Sequence, residues 1–257
     1  MYAGAAGGYV RSAIALALAA QAHGLTIDFA FIMHQPSITR ARNMLAHIFV
    51  QSDFTHMLFL DDDVSVSADH ILSMLTAMVR DDRLSILGGP VPRRRINWSS
   101  VARAAAAGLG RDDQAQLARY TGDFAFALAD GITSFTLEQP VELVRLGTGL
   151  MMIRRDVIES LTSLAGDDHY VPDAEERSGF GVGDRVHRIF EGQIEPETGR
   201  LLSDDYAFCQ RARAAGFAIW LAPWVATTHS GPATFGATLA DLAALSSQPI
   251  VTPQEPH

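Results

Sequence analysis

Short apolar runs alternate with amphipathic stretches along the first third of the chain. Ala13 to His23 is Ala- and Leu-rich and predicts a helix ended by Gly24. Thr26 to Met33 predicts a strand, and Ser37 is placed as the N-cap of a helix running to about Val50. Thr55 to Leu60 is a continuous apolar run of the kind that forms a buried parallel strand, and it ends in three acids, Asp61, Asp62 and Asp63. A helix from about Ala68 to Val79 and a strand from Leu84 to Leu87, closed by Gly88-Gly89-Pro90, follow. Repeated strand–helix units of this kind predict an α/β protein with a largely parallel nucleotide-binding-type sheet, whose ligands gather at the C-terminal ends of the strands.

The second half has another rhythm. Ile96 to Tyr120 predicts one or two helices, and Phe124 to Val144 short strands and turns. Val141 to Ile153 is strand-like but broken at Gly147-Thr148-Gly149, and a helix follows from about Arg154 to Leu164. Gly166 to Arg185 is polar and Gly-rich and is the expected mobile loop. Ser203 caps a helix to about Ala215, Gly216 ends it, and Phe217 to Leu221 returns as a strand. No internal repeat is present. Residues 1–245 are expected to form one unit, split near residue 95, with 246–257 as a Pro-rich tail.

Composition narrows the chemistry. With 257 residues, 48% of them hydrophobic, the chain can bury a real core. Its longest apolar stretch, Ala13 to Ala22, is about half the roughly 20 residues of a membrane-spanning helix, so no transmembrane segment is expected, and no signal peptide. The single cysteine, Cys209, forms no internal disulfide and fits a reducing compartment. A net charge of −9 argues against nucleic acid as a partner. All 20 basic residues are Arg, which excludes the lysine of a phosphate-binding loop and the lysine of a pyridoxal Schiff base.

Three places carry candidate chemistry. Asp61, Asp62 and Asp63 end an apolar strand, where hard oxygen ligands suit Mg²⁺ or Mn²⁺ shared with a phosphate-bearing substrate. One such acid could equally cap the next helix; a calcium loop is excluded because Val66 and Leu72 stand where it needs Gly and Glu. Asp204 and Asp205 at a helix start suit the helix dipole and, beside a distant metal site, a general base. His229, in Thr228-His229-Ser230-Gly231, is either structural or a third kind of metal ligand. Cys209, Met151 and Met152 suit the core, and Trp220 and Trp224 suit core or rim packing.

In order and separation these elements resemble the GT-A glycosyltransferases, nucleotide-sugar-dependent enzymes of the family-2-like group, and more distantly the mannan-polymerase-type enzymes. The resemblance spans about Met1 to Gly231. It implies an open mixed Rossmann-like sheet flanked by helices, with residues 1–95 as donor half and 96–245 as acceptor half. Met1-Tyr2-Ala3-Gly4 resembles the end of the first nucleotide-binding loop, and the helix carrying Arg40, Arg42 and Asn43 the one that contacts the nucleotide and supports the acids. Asp61-Asp62-Asp63 resembles the DxD motif, implying Asp63 as metal ligand with help from Asp61, and Asp61 and Asp62 as donor contacts. Gly89 to Trp98, with Arg93, Arg94 and Arg95, resembles a donor-side segment, and Gly147-Thr148-Gly149 the active-site turn. Ser203-Asp204-Asp205 resembles Ser-Glu-Asp, implying Asp205 as base if the enzyme inverts configuration and as an acceptor-orienting carboxylate if it retains it, although Asp204 is one methylene shorter than the usual Glu. His229-Ser230-Gly231 resembles the element that supplies a metal ligand.

The resemblance thus implies a Mn²⁺- or Mg²⁺-dependent hexosyltransferase moving sugar from a nucleotide-diphosphate donor to a glycan or other hydroxyl acceptor. It would work in the cytoplasm or at the inner membrane surface. The family's first strand should precede Tyr2, so the sheet is expected to lack it. Two other readings share features. Haloacid-dehalogenase-type phosphohydrolases also follow a strand with Asp-x-Asp, but their nucleophile lies near the chain start and they use a Lys. A non-catalytic nucleotide-sugar or glycan-binding domain would keep the fold without turnover.

Overall fold

A computed structural model of the chain describes residues 7–231 and 234–246. In chain order the elements are α1 (Gly7–Ala22), α2 (Ile38–Val50), β1 (His56–Leu60), β2 (Val64–Val66), α3 (Ala68–Arg80), β3 (Ile86–Gly88) and α4 (Trp98–Ala106). A 3₁₀ helix (Gln114–Tyr120) precedes β4 (Phe126–Leu128), β5 (Val141–Leu146), β6 (Leu150–Arg154) and α5 (Arg155–Ala165). Then come β7 (His169–Tyr170), α6 (Ala174–Phe180), β8 (Val186–His187), β9 (Gln193–Ile194), β10 (Leu201–Leu202) and α7 (Asp204–Ala214). The last elements are β11 (Ile219–Leu221), β12 (Thr227–Ser230), β13 (Thr234–Ala237) and α8 (Leu239–Ser246).

Six strands form the main sheet in the order β1-β6-β3-β11-β5-β4. The expected open mixed sheet flanked by helices is present, but the parallel pairing suggested by the first strands is confined to β3 with β11; the other four pairs are antiparallel. Alternation along β6 explains the layers. Met151 and Ile153 face one apolar cluster with Phe49 of α2, Val157 of α5 and Phe208 of α7. Leu150 and Met152 face the other, with Leu16 of α1 and Met74 and Met78 of α3. The strand is covered on both sides and therefore has no polar face.

Local chemistry sets the helices. Ser37 and Ser67 cap α2 and α3, accepting from the backbone N–H of Arg40 and His70, each at 3.2 Å. Ile71, Met74 and Met78 form the buried stripe of α3. Arg155 gathers the carbonyls left open at the end of α2, donating to Phe54 and Ser52 oxygens at 2.7 Å and to those of Val50 and Phe49 at 3.3 Å. A cation there favours the helix dipole and locks α2, which carries Arg42, to α5.

Two further expectations are corrected. Thr26 to Met33 is not a strand: β1 is the edge of the main sheet, and residues 25–33 pair with no strand among the described residues. Its alternating Leu25, Ile27, Phe29, Phe31 and Met33 stay exposed, because alternation makes a strand only where a neighbour and a facing layer exist. Gly166 to Arg185 is folded rather than a plain loop. It contains β7 and α6 and runs into β8, which pairs with β7; Asp173 and Glu176 form a capping box. Buried Glu176 also binds the Arg40 guanidinium, which lies 4.8 Å above the Tyr170 ring. Glu176→Ala is expected to cost about 1–3 kcal/mol and to speed tryptic cleavage after Arg177 and Arg185 well before global unfolding. Unchanged cleavage would show that the pair anchors nothing.

Candidate functional site

The acidic triplet sits where β1 leaves the sheet. Leu60 pairs with Leu150, and the Asp61 N–H donates to the Gly149 carbonyl at 3.1 Å, so the triplet lies against the turn between β5 and β6. The Val64 N–H returns to the Asp61 carbonyl at 2.9 Å, a tight turn that sends the three carboxylates in different directions. Asp61 faces the buried Arg42 guanidinium at 3.6 Å. Asp62 faces Tyr9, whose hydroxyl is shifted upward, first by burial and then by that carboxylate. Asp63 binds Arg94 and approaches His229.

A small sheet completes this corner. β2 and β13 flank β12, all antiparallel, and the register sets His229 opposite Val64. The Ser230 N–H donates to the Asp63 carbonyl at 2.7 Å. His229 Nε2 thereby comes within 3.1 Å of Asp63 Oδ1, with both side chains mostly buried. Its Nδ1 lies 2.8 Å from the Pro92 carbonyl, which can only accept, so Nδ1 carries the hydrogen and Nε2 faces the carboxylate.

Arg42 joins the two acidic motifs across the chain, meeting Asp204 Oδ2 at 2.5 Å as well as Asp61. Asp205, the next residue of α7, is placed by its own turn. Its Oδ1 accepts from Ser203 Oγ and from the Tyr206 N–H at 2.8 Å, leaving Oδ2 toward Gly147. Ser203 thus occupies the N-cap position but spends its hydroxyl on Asp205 instead of the helix. Burial, with Asp204 adding to it, raises the Asp205 carboxyl above the ordinary range. A β-carbon at Gly147 would stand 3.4 Å from Asp205 Oδ2, and one at Gly149 3.4 Å from Asp61 Oδ2. The Gly-Thr-Gly turn is therefore a thin wall between the Asp205 and Asp61 carboxylates. Thr148 between them is buried, and its hydroxyl has no partner among the described residues.

The structure brings Asp61, Asp63, Arg42, Asp204, Asp205, Gly147, Gly149 and His229 to one end of the main sheet. It places others elsewhere. Arg40 is held by Glu176, and Asn43 is spent on the backbone of Phe190, accepting from its N–H at 2.8 Å. Arg93 and Arg95 both reach Asp123, whereas Arg94 donates from Nε to His229 Nε2 at 3.0 Å and pairs with Asp63. Arg94 is thus the member of the basic triplet that enters the site; three consecutive Arg residues carry no signal of which one turns inward. Asp61 is turned to Arg42 rather than toward Asp63 and His229, and no group of three metal-type side chains converges among the described residues. Tyr2 and residues 247–257 lie outside the described residues. Cys209 packs in the core with its thiol pushed up to about 12 by burial, and Trp224 donates to Ser73 Oγ at 2.9 Å at the rim of the second cluster.

A family model described as glycosyltransferase-like family 2 matches residues 9–244. Among solved structures, A197 from STIV aligns over 95% of this chain and 91% of its own, with 9% identity and a TM-score of 0.46. No curated protein matches.

Proposed function

The chain belongs to the glycosyltransferase-like family 2, and from that membership we propose that it moves a sugar from a nucleotide-diphosphate donor to a hydroxyl of a glycan or other acceptor. The observation that carries this reading is the placement of Asp61 and Asp205 against the two ends of the Gly147–Gly149 turn, with Arg42 between the two acidic motifs.

In a single displacement the acceptor oxygen bonds the anomeric carbon while the bond from that carbon to the diphosphate oxygen breaks. The acceptor loses its proton to Asp205 Oδ2, the oxygen left open by the Ser203 and Tyr206 hydrogen bonds. Its raised affinity for a proton makes Asp205 a stronger base than an exposed carboxylate. Arg42 holds Asp204 and Asp61 in place and offsets one of their two charges, so the donor does not meet two bare carboxylates. Gly147 and Gly149 leave room for the sugar beside these oxygens. Residues 1–95 serve the donor and 96–245 the acceptor.

The side chains at the end of the triplet fit a divalent cation such as Mn²⁺ or Mg²⁺. His229 is oriented by a backbone carbonyl on Nδ1, as metal-binding imidazoles are, and points Nε2 toward the Asp63 carboxylate. Asp63 and His229 would hold the ion, and when bound it would supply charge neutralisation for the departing diphosphate. No helix among the described residues is long and apolar enough to cross a membrane.

The test is a thermal-shift titration with a panel of nucleoside diphosphates, with and without Mn²⁺, on wild type and Asp63→Ala. One nucleotide should raise Tm in the presence of Mn²⁺ only, and Asp63→Ala should lose the shift. Binding without transfer or slow donor hydrolysis would leave a nucleotide-sugar-binding domain. No shift with any nucleotide would sink the reading.

A further inference from the structure

Asp63 Oδ1 and His229 Nε2 lie 3.1 Å apart, and this contact is not a hydrogen bond. The His229 hydrogen is on Nδ1, committed to the Pro92 carbonyl at 2.8 Å. Nε2 meanwhile accepts from Arg94 Nε at 3.0 Å, and a guanidinium has only donors to offer. Two lone-pair groups therefore face each other at hydrogen-bond distance with no proton between them. Such a pair repels unless a cation is shared. The Arg94 guanidinium is that cation, bonded through Nε to the imidazole and through a terminal nitrogen to Asp63 Oδ2.

This arrangement has the donor set and the shared positive charge of a small cation site, with a side chain supplying the charge. Arg93 and Arg95, on either side, are both turned to Asp123, so the backbone of this loop is held from its flanks while Arg94 projects inward alone. The Arg93 N–H adds a backbone bond to the Asp123 carbonyl at 2.7 Å. About half of the Arg94 side chain remains exposed, so the guanidinium has an open route out of the site without any shift of the core.

We propose that Arg94 is the resident cation of the Asp63–His229 site and an internal competitor of the metal. The guanidinium neutralises the pair when no ion is bound, and it must leave for an ion to reach Nε2 and the carboxylate. Occupancy by metal and release of Arg94 are then one event, and the fraction of molecules with Arg94 withdrawn scales the apparent metal affinity. The freed guanidinium, with its forked donors, stays beside the same corner, where a donor diphosphate offers it oxygens. Metal entry would thus also deliver a phosphate-binding group. The proposal rests on the metal-dependent reading above and adds to it a coupling between metal and one arginine.

The experiment is calorimetric titration of Mn²⁺ alone, to millimolar concentration, into wild type, Arg94→Ala, Arg94→Gln and Asp63→Ala. Removing the competitor should tighten Mn²⁺ binding by about 5- to 150-fold, the usual span of such couplings. Arg94→Gln, which keeps a donor but no charge, should shift the same way and stands in if the alanine variant folds poorly. Asp63→Ala should not bind. Equal or weaker binding by both Arg94 variants would overturn the proposal and leave the metal site standing. Absence of Mn²⁺ binding in wild type and in both Arg94 variants would overturn the metal reading and the proposal with it.

Discussion

Asp205→Asn is expected to lower sugar transfer by about 10²- to 10⁴-fold, the usual contribution of a positioned general base, while metal-dependent nucleotide binding persists. The two arms separate because Asp205 faces the Gly147 side of the turn, whereas Asp63 and His229 form their own corner. The same substitution should raise stability at neutral pH. Burial lifts the Asp205 carboxyl above its unfolded value, so its contribution to stability is present below the unfolded pKa and lost as pH rises through the folded one. Asn carries no charge to desolvate, so the variant should melt higher near pH 7, with the difference vanishing below about pH 4, the ordinary aspartate range. The acidic limb of kcat/KM should lie above that range in wild type. Melting curves across pH and single-turnover transfer assays check both. A variant that transfers sugar at wild-type rate removes Asp205 from the mechanism.

Arg42→Ala is expected to destabilise the fold by about 3–5 kcal/mol, because it strands a partly buried carboxylate pair around a lost cation. Arg42 is 6% exposed, and it reaches Asp204 at 2.5 Å and Asp61 at 3.6 Å. Arg42→Lys keeps the charge but loses the fork that spans both acids, so it should recover only part of the loss. Asp204→Asn in the Arg42→Ala background should recover stability that the single variant lacks, since it removes one of the two stranded charges. Urea unfolding of the set measures this. A loss under 1 kcal/mol would show that water reaches the pair and that Arg42 is not what holds the two motifs together.

Much of this was legible in local chemistry. Apolar runs bounded by caps predict β1, α3, the β5–β6 pair broken at Gly147–Gly149, α5 and α7 with bounds close to those observed, because each is set by neighbours within one or two turns. Thr26 to Met33 shows the limit. Its alternating apolar positions suit a strand as well as the continuous apolar run of β1 does, yet β1 has β6 beside it, and residues 25–33 have no paired neighbour among the described residues. The Gly166–Arg185 stretch failed in the opposite sense. Its polar, Gly-rich composition hides Glu176, whose partner Arg40 lies 136 residues away.

The candidate site divides along the same line. The residue types and their order, acids after a strand, acids at a helix start, a lone imidazole in a late segment, came from sequence alone, because side-chain chemistry and local backbone direction are properties of short windows. Which acid meets which cation was decided by tertiary structure. The register of β12 against β2 sets His229 opposite Val64 and so beside Asp63, while the turn after β1 sends Asp61 to Arg42. The clasp on Asp123 turns Arg93 and Arg95 aside and leaves Arg94 facing inward. The Arg94–His229 and Arg42–Asp204 pairings join residues 135 and 162 positions apart, and only the packed sheet brings such groups within the few ångströms over which they act.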